Sequence, residues 1–174
     1  MNRTGDEEVL AEMVTLLPRL RRFALLLTAS NADADGLTQT TCERAITRLG
    51  SWTPGTSLDR WLFKMAHNLH RNQRRDSANR LRLVQQHGAT QEFLADGVGQ
   101  AEARTELGEV RARMLALPEE QRTVLTLIAI EGLSYQEAAQ LLEVPIGTVT
   151  SRLARAREAL RAATAPLRRE LEPA

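Results

Sequence analysis

The sequence contains few aromatic residues, a single cysteine and no long apolar segment. Aromatic residues make up 3% of the 174 residues, and no segment shows the alternation of polar and apolar side chains that marks a half-buried strand. Cys42 has no partner for an internal disulfide, which fits a reducing compartment. No stretch approaches the roughly 18 apolar residues that a membrane span needs, and the N-terminus lacks the apolar core of an export signal. These features predict an all-α, cytoplasmic protein without membrane insertion.

Patterns that support catalysis or metal binding are also missing. The carboxylates are scattered along the chain and no Gly-rich phosphate loop occurs, so we predict no catalytic residue and no cofactor. His67, His70 and Cys42 would supply three metal ligands, whereas structural zinc takes four. We therefore interpret the two histidines as ordinary residues on a helix face and predict no metal site.

The net charge of +1 conceals two basic blocks that are separated by an acidic stretch. Residues 64–83 contain six basic residues and one acidic residue, and residues 145–169 have the same balance, so each block carries +5. Residues 85–109 contain five acidic residues and one basic residue, which gives −4. This distribution indicates two contacts with a polyanion on one chain. Solvated helix faces without a partner would give the same pattern, and charge alone does not distinguish the two interpretations.

Helical periodicity and breaker residues predict two helical domains. Apolar residues between positions 10 and 27 recur at helical spacing, and Pro18 predicts the start of a second helix within that stretch. Ser30 and Asn31 are candidate caps for a helix from about 32 to 49, which Gly50 ends. The predicted organisation is two small helical domains, residues 1–78 and 105–174, joined by a flexible linker at residues 79–104 that loses periodicity.

A third helix, beginning at Leu58, is predicted to have two distinct faces. Its apolar stripe contains Leu58, Leu62, Met65 and Leu69. The opposite face carries basic and amide side chains at helical spacing: Arg60, Lys64, Asn68, Arg71, Asn72 and Arg75. Trp61 and Phe63 are interpreted as core residues in preference to base-stacking groups, whereas for Trp52, in the preceding loop, both interpretations remain open.

The most specific pattern lies between residues 134 and 160. Ser134 and Glu137 form a capping box that opens a short helix, YQEAAQLL, and a turn at Glu143-Val144-Pro145 follows. The next helix has an apolar stripe, Val149, Leu153, Ala156 and Leu160, while Thr148, Ser151, Arg152 and Arg155 lie outside it. A short helix, a tight turn and a helix with hydroxyl and arginine side chains predict a helix-turn-helix that reads the major groove of DNA. An amphipathic hairpin in a purely structural bundle is the alternative.

These residues resemble a known family. Residues 117–160, LPEEQRTVLTLIAIEGLSYQEAAQLLEVPIGTVTSRLARAREAL, closely resemble region four of the extracytoplasmic-function sigma factors of the sigma-70 family. The segments LLPRLRRFALLLTASNADADGLTQTTCERAI and SLDRWLFKMAHNLHRNQRR resemble region two of the same family. The resemblance covers most of residues 16–165 in the order of the family.

The resemblance implies a role for each region. Region two would bind the RNA polymerase core through the helix that carries Asp33, Asp35, Leu37, Gln39 and Thr40. The following loop and helix would open and read the −10 element, and region four would read the −35 element of promoter DNA. The implied −10 residues are Trp52, Lys64, Asn68, Arg71 and Asn72, and the implied −35 residues are Thr148, Ser151, Arg152 and Arg155. An anti-sigma factor held between the two regions is a further implied partner.

The sequence departs from the family pattern at two places. The core-binding helix of the family usually reads in the manner of DDLVQE, whereas this chain has Gly36 and Thr40 where two carboxylates are expected. A glycine within a helix also costs about 1 kcal/mol relative to alanine. In the recognition helix, Thr150 stands where the family often has a basic residue.

Three hypotheses of function follow from these patterns. The leading one is a promoter-reading sigma subunit. A sigma-like decoy that binds an anti-sigma factor without binding the core enzyme is the second, and the replacements at Gly36 and Thr40 motivate it. The third is a plain helix-turn-helix regulator that needs no polymerase contact, which would leave the resemblance to region two unexplained.

Overall fold

The computed structural model describes the backbone of residues 3–86 and 106–171, and the chain divides into two compact units, Met1–Val98 and Gly99–Ala174. All regular elements in these described ranges are helical. The N-terminal unit contains α1 (Arg3–Thr28), α2 (Asn31–Thr47), a short 3₁₀ turn (Leu49–Ser51) and α3 (Leu58–Gln86). The C-terminal unit contains α4 (Glu106–Ala116), α5 (Glu119–Leu125), a π-helical turn (Thr126–Ile130), α6 (Tyr135–Leu142) and α7 (Ile146–Leu171). The prediction of an all-α fold in two helical domains is confirmed.

Helix α1 is continuous, so the prediction of a second helix beginning at Pro18 is wrong. Proline within a helix removes one backbone hydrogen bond and costs about 3 kcal/mol. The apolar stripe continues on both sides of this position, with Met13, Leu20 and Phe23 all at most 5% exposed. Burial of each such side chain stabilises the fold by about 2 kcal/mol, which offsets the hydrogen bond lost at Pro18. The sequence around Pro18 does not show how well these side chains pack.

The starts of α2 and α3 lie close to their predicted positions, whereas the end of α3 does not. Ser30 caps α2, since its hydroxyl accepts a hydrogen bond from the backbone N–H of Asp33 at 3.3 Å. Helix α2 ends at Thr47, slightly before the predicted end, and Gly50 lies inside the 3₁₀ turn instead of terminating the helix. Helix α3 continues to Gln86, so its last turns occupy the first residues of the predicted linker; residues 87–105 lie outside the described residues.

The core of the N-terminal unit lies between α1, α2 and α3. The rings of Phe23 and Phe63 have centroids 4.9 Å apart and are tilted by 47°, a favourable aromatic arrangement. Phe63 is therefore a core residue, as predicted, whereas Trp61 is only half-buried. Leu58, Leu62 and Leu69 of the predicted stripe are buried, and Met65 lies at its edge.

In the C-terminal unit a buried arginine fixes the turn between α4 and α5. The Arg122 guanidinium is 6% exposed and donates hydrogen bonds to the carbonyl oxygens of Leu115 (2.9 Å) and Leu117 (2.8 Å). These carbonyls lie at the C-terminal end of α4, where the helix dipole favours a cation. The turn therefore holds α5 in a defined position, against which α7 packs.

Candidate nucleic-acid and polymerase interface

The helix-turn-helix has the predicted local structure. Ser134 N–H donates to the Glu137 carboxylate at 2.8 Å, and the backbone N–H of Glu137 donates to the Ser134 hydroxyl at 3.2 Å, which completes the capping box. Helix α6 ends at Leu142, and its C-cap residue, Glu143, has a φ of 57° in the left-handed region. Ala138 and Ala139 are buried, so their small side chains allow α7 to pack closely.

The buried stripe of α7 determines which residues face solvent. Val149, Leu153 and Ala156 are at most 2% exposed. Because successive residues in an α-helix are rotated by about 100°, the direction opposite this stripe is occupied by positions 147, 151, 154 and 158. Within the N-terminal turns of α7, the exposed face consists of five residues, which we call the reading face: Gly147, Thr150, Ser151, Ala154 and Arg155.

The four predicted −35 residues do not share one environment. Ser151 and Arg155 lie on the reading face, and Thr148 is half-buried beside it. Arg152 lies on the flank of the buried stripe, where its guanidinium forms an ion pair with the Glu120 carboxylate of α5 at 2.7 Å. Its side chain is only 21% exposed. The structure therefore groups Ser151 and Arg155 and separates Arg152 from them.

The reading face also contains residues that the sequence prediction did not include. Thr150 and Ala154 are exposed next to Ser151, and Gly147 has open space around the position of a Cβ atom. The hydroxyls of Thr150 and Ser151 donate to helix carbonyls at 3.0 Å, which leaves their oxygen lone pairs able to accept. The signal for these residues was the direction of the apolar stripe, since the side opposite to it includes positions 147 and 154.

The predicted −10 residues lie on α3 and in the loop before it. Lys64, Arg71 and Asn72 are exposed, and Asn68 is half-buried between the turns that carry them. Lys64, Asn68 and Arg71 share the face opposite the buried Leu62, as predicted.

Two of these predicted −10 residues have a polar side-chain atom without a hydrogen-bond partner among the described residues. The Nε1 donor of Trp52 and the Oδ1 acceptor of Asn68 are buried, and neither has a hydrogen-bond partner in the part of the chain that the structure describes. An unsatisfied buried polar group costs about 1–3 kcal/mol, so such a group in a native fold needs an explanation. Because both atoms are buried, a nucleic-acid base could bond to them only after the side chain rotates outward.

The loop that carries Trp52 is anchored to α1 through Asp59. The Asp59 carboxylate accepts hydrogen bonds from the Ser57 hydroxyl and from the Arg60 backbone N–H at 2.7 Å, and it pairs with the Arg19 guanidinium at 3.0 Å. Burial raises the pKa of Asp59, but the two hydrogen bonds and the Arg19 charge outweigh burial and lower the pKa below its ordinary value. The same Arg19 guanidinium lies 5.6 Å from the centroid of the Phe63 ring. These contacts fix the start of α3.

The predicted core-binding residues of α2 are distributed between its surface and the core. Asp33 and Gln39 are exposed, and Gln39 donates to the Glu43 carboxylate at 3.0 Å. Asp35 is also exposed, and both of its carboxylate oxygens accept from Arg21, at 2.6 and 3.3 Å. Leu37 is 2% exposed and packs in the helical core, and it also lines the groove between α2 and α3.

Gly36 and Thr40 line one wall of a groove between α2 and α3. The groove has a volume of about 730 Å³ and lies wholly within the N-terminal unit. The Thr40 hydroxyl donates to the Gly36 carbonyl oxygen at 2.8 Å, and the Cβ position of Gly36 opens into free space. Charged residues lie along both walls: Asp33, Arg74, Asp76 and Arg80.

The described residues contain no group of three His, Cys, Asp or Glu side chains that could hold a metal ion. His70 is buried and His67 half-buried. Burial, followed by the charge of Glu43, raises the pKa of the Cys42 thiol, which keeps it protonated at neutral pH. In the same described ranges, no helix combines the length and the apolar character that crossing a bilayer requires.

Comparisons with known proteins agree with the division into two units. The sequence-family model of sigma-70 region 4 matches residues 107–160, and that of the sigma2 domain of PhyR matches residues 13–67. The ECF RNA polymerase sigma factor EcfG of Rhodopseudomonas palustris is 37% identical over 152 residues, which cover 87% of this chain and 82% of EcfG. The ECF RNA polymerase sigma factor SigC of Mycobacterium tuberculosis is 38% identical over 134 residues, which cover 77% of this chain and 71% of SigC.

A solved structure extends the similarity to three dimensions. The sigma factor RpoE from Bartonella quintana, in complex with the anti-sigma factor NepR, superposes with a TM-score of 0.72 at 32% identity. The match covers 90% of this chain and 96% of RpoE. Since identity above 30% extends over most of both chains in these relatives, the protein belongs to the family of ECF RNA polymerase sigma factors.

Proposed function

We propose that the protein is an alternative sigma subunit that binds the RNA polymerase core and directs promoter-specific initiation of transcription. The observation that carries this proposal is the presence, on one chain, of two helices with buried apolar stripes and outward-facing polar and basic side chains. One is α3 with Lys64 and Arg71, and the other is α7 with Ser151 and Arg155. Initiation requires contact with two promoter elements, and the two units supply one reading helix each.

In this proposal the C-terminal unit reads the −35 element through the reading face of α7. Arg155 can form a bidentate contact with a guanine edge or bind a phosphate, and the Ser151 hydroxyl can bond to either. Thr148, half-buried at the side of the reading face, is proposed to contact the DNA backbone. The short side chains of Gly147 and Ala154 let the helix approach the bases closely, since they add little bulk between backbone and DNA.

The N-terminal unit opens and reads the −10 element through α3 and the loop before it. Lys64, Arg71 and Asn72 supply charge and hydrogen bonds for a single strand. Removing a base from the stack costs a few kcal/mol. The orphaned Trp52 Nε1 and Asn68 Oδ1 atoms support a role in offsetting this cost, because a base that bonds to them removes their own desolvation penalty.

The exposed surface of α2 is the proposed contact with the polymerase core, in the compartment where transcription takes place, the cytoplasm. Asp33, Asp35 and Gln39 would form this contact, together with the half-buried Thr40. An anti-sigma factor is a proposed regulator, since the similar RpoE was solved in complex with NepR.

A sigma-like decoy is the second candidate, and two observations favour it. Gly36 and Thr40 remove two carboxylates that the family pattern places on α2, and the sigma2 model that matches residues 13–67 is that of PhyR. A decoy would bind an anti-sigma factor and would not bind the core enzyme.

Capture of genomic DNA by the reconstituted holoenzyme tests the proposed function. Core polymerase and the full chain are mixed with genomic fragments, the retained fragments are sequenced, and run-off transcription is measured from them. We expect two short motifs at a fixed spacing, and transcripts only when the chain is present. Arg155→Ala should abolish enrichment of the upstream motif, whereas Arg113→Ala, which removes the same charge from α4, should not. DNA binding that is equally strong without polymerase would contradict the proposal and favour a plain helix-turn-helix regulator.

A further inference from the structure

The ion pair between Glu120 and Arg152 connects two helices of the C-terminal unit. Glu120 lies in the first turn of α5, and Arg152 lies in the second turn of α7. The Arg152 side chain is 21% exposed and its Nη2 atom is 2.7 Å from the Glu120 carboxylate oxygen, which is the distance of a strong charge-assisted hydrogen bond. The pair lies on the flank of the α7 stripe, whereas the reading face points away from it.

The apolar stripe of α7 fixes which side of the helix is buried, and contacts on its flank resist smaller rotations about the helix axis. Its buried stripe consists of Val149, Leu153 and Ala156, whose side chains differ in size. Hydrophobic burial is non-directional, so within this orientation the stripe distinguishes only weakly between small rotations of the helix. A charged hydrogen bond on the flank is directional and resists such a rotation.

Small rotations of a recognition helix have large effects at its surface. Side-chain tips lie roughly 5–6 Å from the axis of an α-helix, so a rotation of about 20° displaces them by about 2 Å. Hydrogen bonds to a base edge weaken steeply over a few tenths of an ångström, and a displacement of this size removes them. A contact that prevents the rotation therefore preserves the geometry of Ser151 and Arg155 on DNA.

We propose that Arg152 is a positioning residue and not a base-reading residue, and that Glu120 is its partner in an interhelical strut that sets the rotation of α7. The inference rests on the proposed function, because it concerns how the same helix reads the −35 element. It assigns Glu120 a role that favours DNA binding, although its charge repels DNA.

Because the negative charge of Glu120 repels DNA, Glu120→Gln distinguishes a positioning role of Arg152 from a direct DNA contact. If Arg152 contacted DNA directly, neutralising Glu120 would release the guanidinium and reduce repulsion, and promoter affinity would rise. If the pair is a strut, the same change loosens α7 and affinity falls, by about twofold to fivefold, because the Glu120 side chain is 69% exposed and solvent screens the pair. Glu109→Gln is the matched control, because it removes one carboxylate from an ion pair with Arg113 that lies within α4 alone (3.5 Å).

The experiment measures binding of reconstituted holoenzyme to a promoter fragment that the wild-type holoenzyme retains, over a range of salt concentrations. Glu120→Gln and Arg152→Gln should each lower affinity without changing the slope of log K against log salt, whereas loss of one phosphate contact changes that slope by about 0.9. The exchanged pair, Glu120→Arg with Arg152→Glu, should restore affinity to within about twofold of wild type. Thermal unfolding of each variant verifies that binding is measured on folded protein.

Each possible result either supports or overturns the proposed strut. A rise in affinity for Glu120→Gln, a slope change for Arg152→Gln, or a folded exchanged pair that does not recover binding would overturn the strut. If the exchanged pair does not fold, Glu120→Gln and Arg152→Lys test the strut instead. Lysine can still pair with Glu120, so Arg152→Lys should retain most of the promoter affinity. Wild-type holoenzyme that retains no promoter fragment would refute the proposed function and is thereby distinguished from failure of the strut.

Discussion

The hydroxyl of Thr40 donates a hydrogen bond to the carbonyl oxygen of Gly36 one helical turn earlier in α2, at 2.8 Å. These are the two positions at which the chain departs from the acidic pattern of its family. The hydroxyl turned toward the helix and the missing side chain at Gly36 supply no charge at these two positions, whereas Asp33 on the same wall of the groove does. The fold of α2 is intact around them, so the replacements affect the chemistry of the surface and not the architecture of the unit.

Gly36→Ala should raise the free energy of unfolding by about 0.5–1 kcal/mol, because alanine loses less backbone entropy within a helix. No atom lies within 4 Å of the Cβ position, so the methyl group causes no clash. Chemical denaturation measures the change. Gly55→Ala is the control in the same unit, because Gly55 has a φ of 85° and alanine there should destabilise by about 1 kcal/mol or more. Equal effects of the two substitutions would contradict this assignment of α2.

Ser134→Ala should destabilise the C-terminal unit by about 1 kcal/mol, because it removes the side-chain half of the capping box of α6. Ser151→Ala is the matched control in the same helix-turn-helix. Its hydroxyl bonds only to a carbonyl oxygen of its own helix among the contacts described, and alanine is a better helix former. Ser134→Ala should therefore lower the melting temperature, whereas Ser151→Ala should change it little or raise it. A Ser134→Ala variant as stable as the wild type would show that the capping box contributes little.

Stability should depend on pH through Asp59. Because the folded-state pKa of Asp59 lies below its ordinary value, the carboxylate stabilises the fold above about pH 4, and this contribution disappears as the pH falls through the folded-state pKa. Asp59→Asn should therefore be less stable than the wild type at pH 7, and the difference should shrink at pH 3. Urea denaturation at the two pH values measures it. A difference that stays constant between them would count against the assigned contacts with Arg19 and Ser57.

Asn68→Ala should change the stability of the fold little but reduce promoter opening. The Asn68 Oδ1 atom has no hydrogen-bond partner in the described residues, so its removal forfeits no bond at that atom and should cost at most about 1 kcal/mol. Open-complex formation by the holoenzyme, followed by permanganate reactivity of the melted strand, should fall markedly. Leu62 lies on the buried side of the same helix at 1% exposure, and Leu62→Ala should instead cost about 2–5 kcal/mol of stability. Full opening activity in a stable Asn68→Ala variant would remove Asn68 from the −10 site.

Local chemistry made several elements predictable from the sequence. The capping box fixed the start of α6, the spacing of Val149, Leu153 and Ala156 fixed the buried side of α7, and Ser30 fixed the start of α2. Each of these signals depends on residues within one or two helical turns, and a single sequence contains them completely.

Features that depend on distant residues could not be predicted. Glu120 meets Arg152 across two helices, so the sequence pattern grouped Arg152 with the exposed residues of α7. The family resemblance names Leu37 as a polymerase contact but does not show that its side chain is buried. Pro18 was interpreted as a break, although burial on both sides keeps α1 continuous.

Binding to purified core RNA polymerase tests the central claim most directly. Size-exclusion chromatography of the full chain with the core enzyme should give co-elution for the wild type, and Gly36→Asp/Thr40→Glu should bind at least as tightly. A chain that elutes apart from the core enzyme would contradict the sigma-subunit assignment. If the two carboxylates then restore co-elution, the decoy function takes its place.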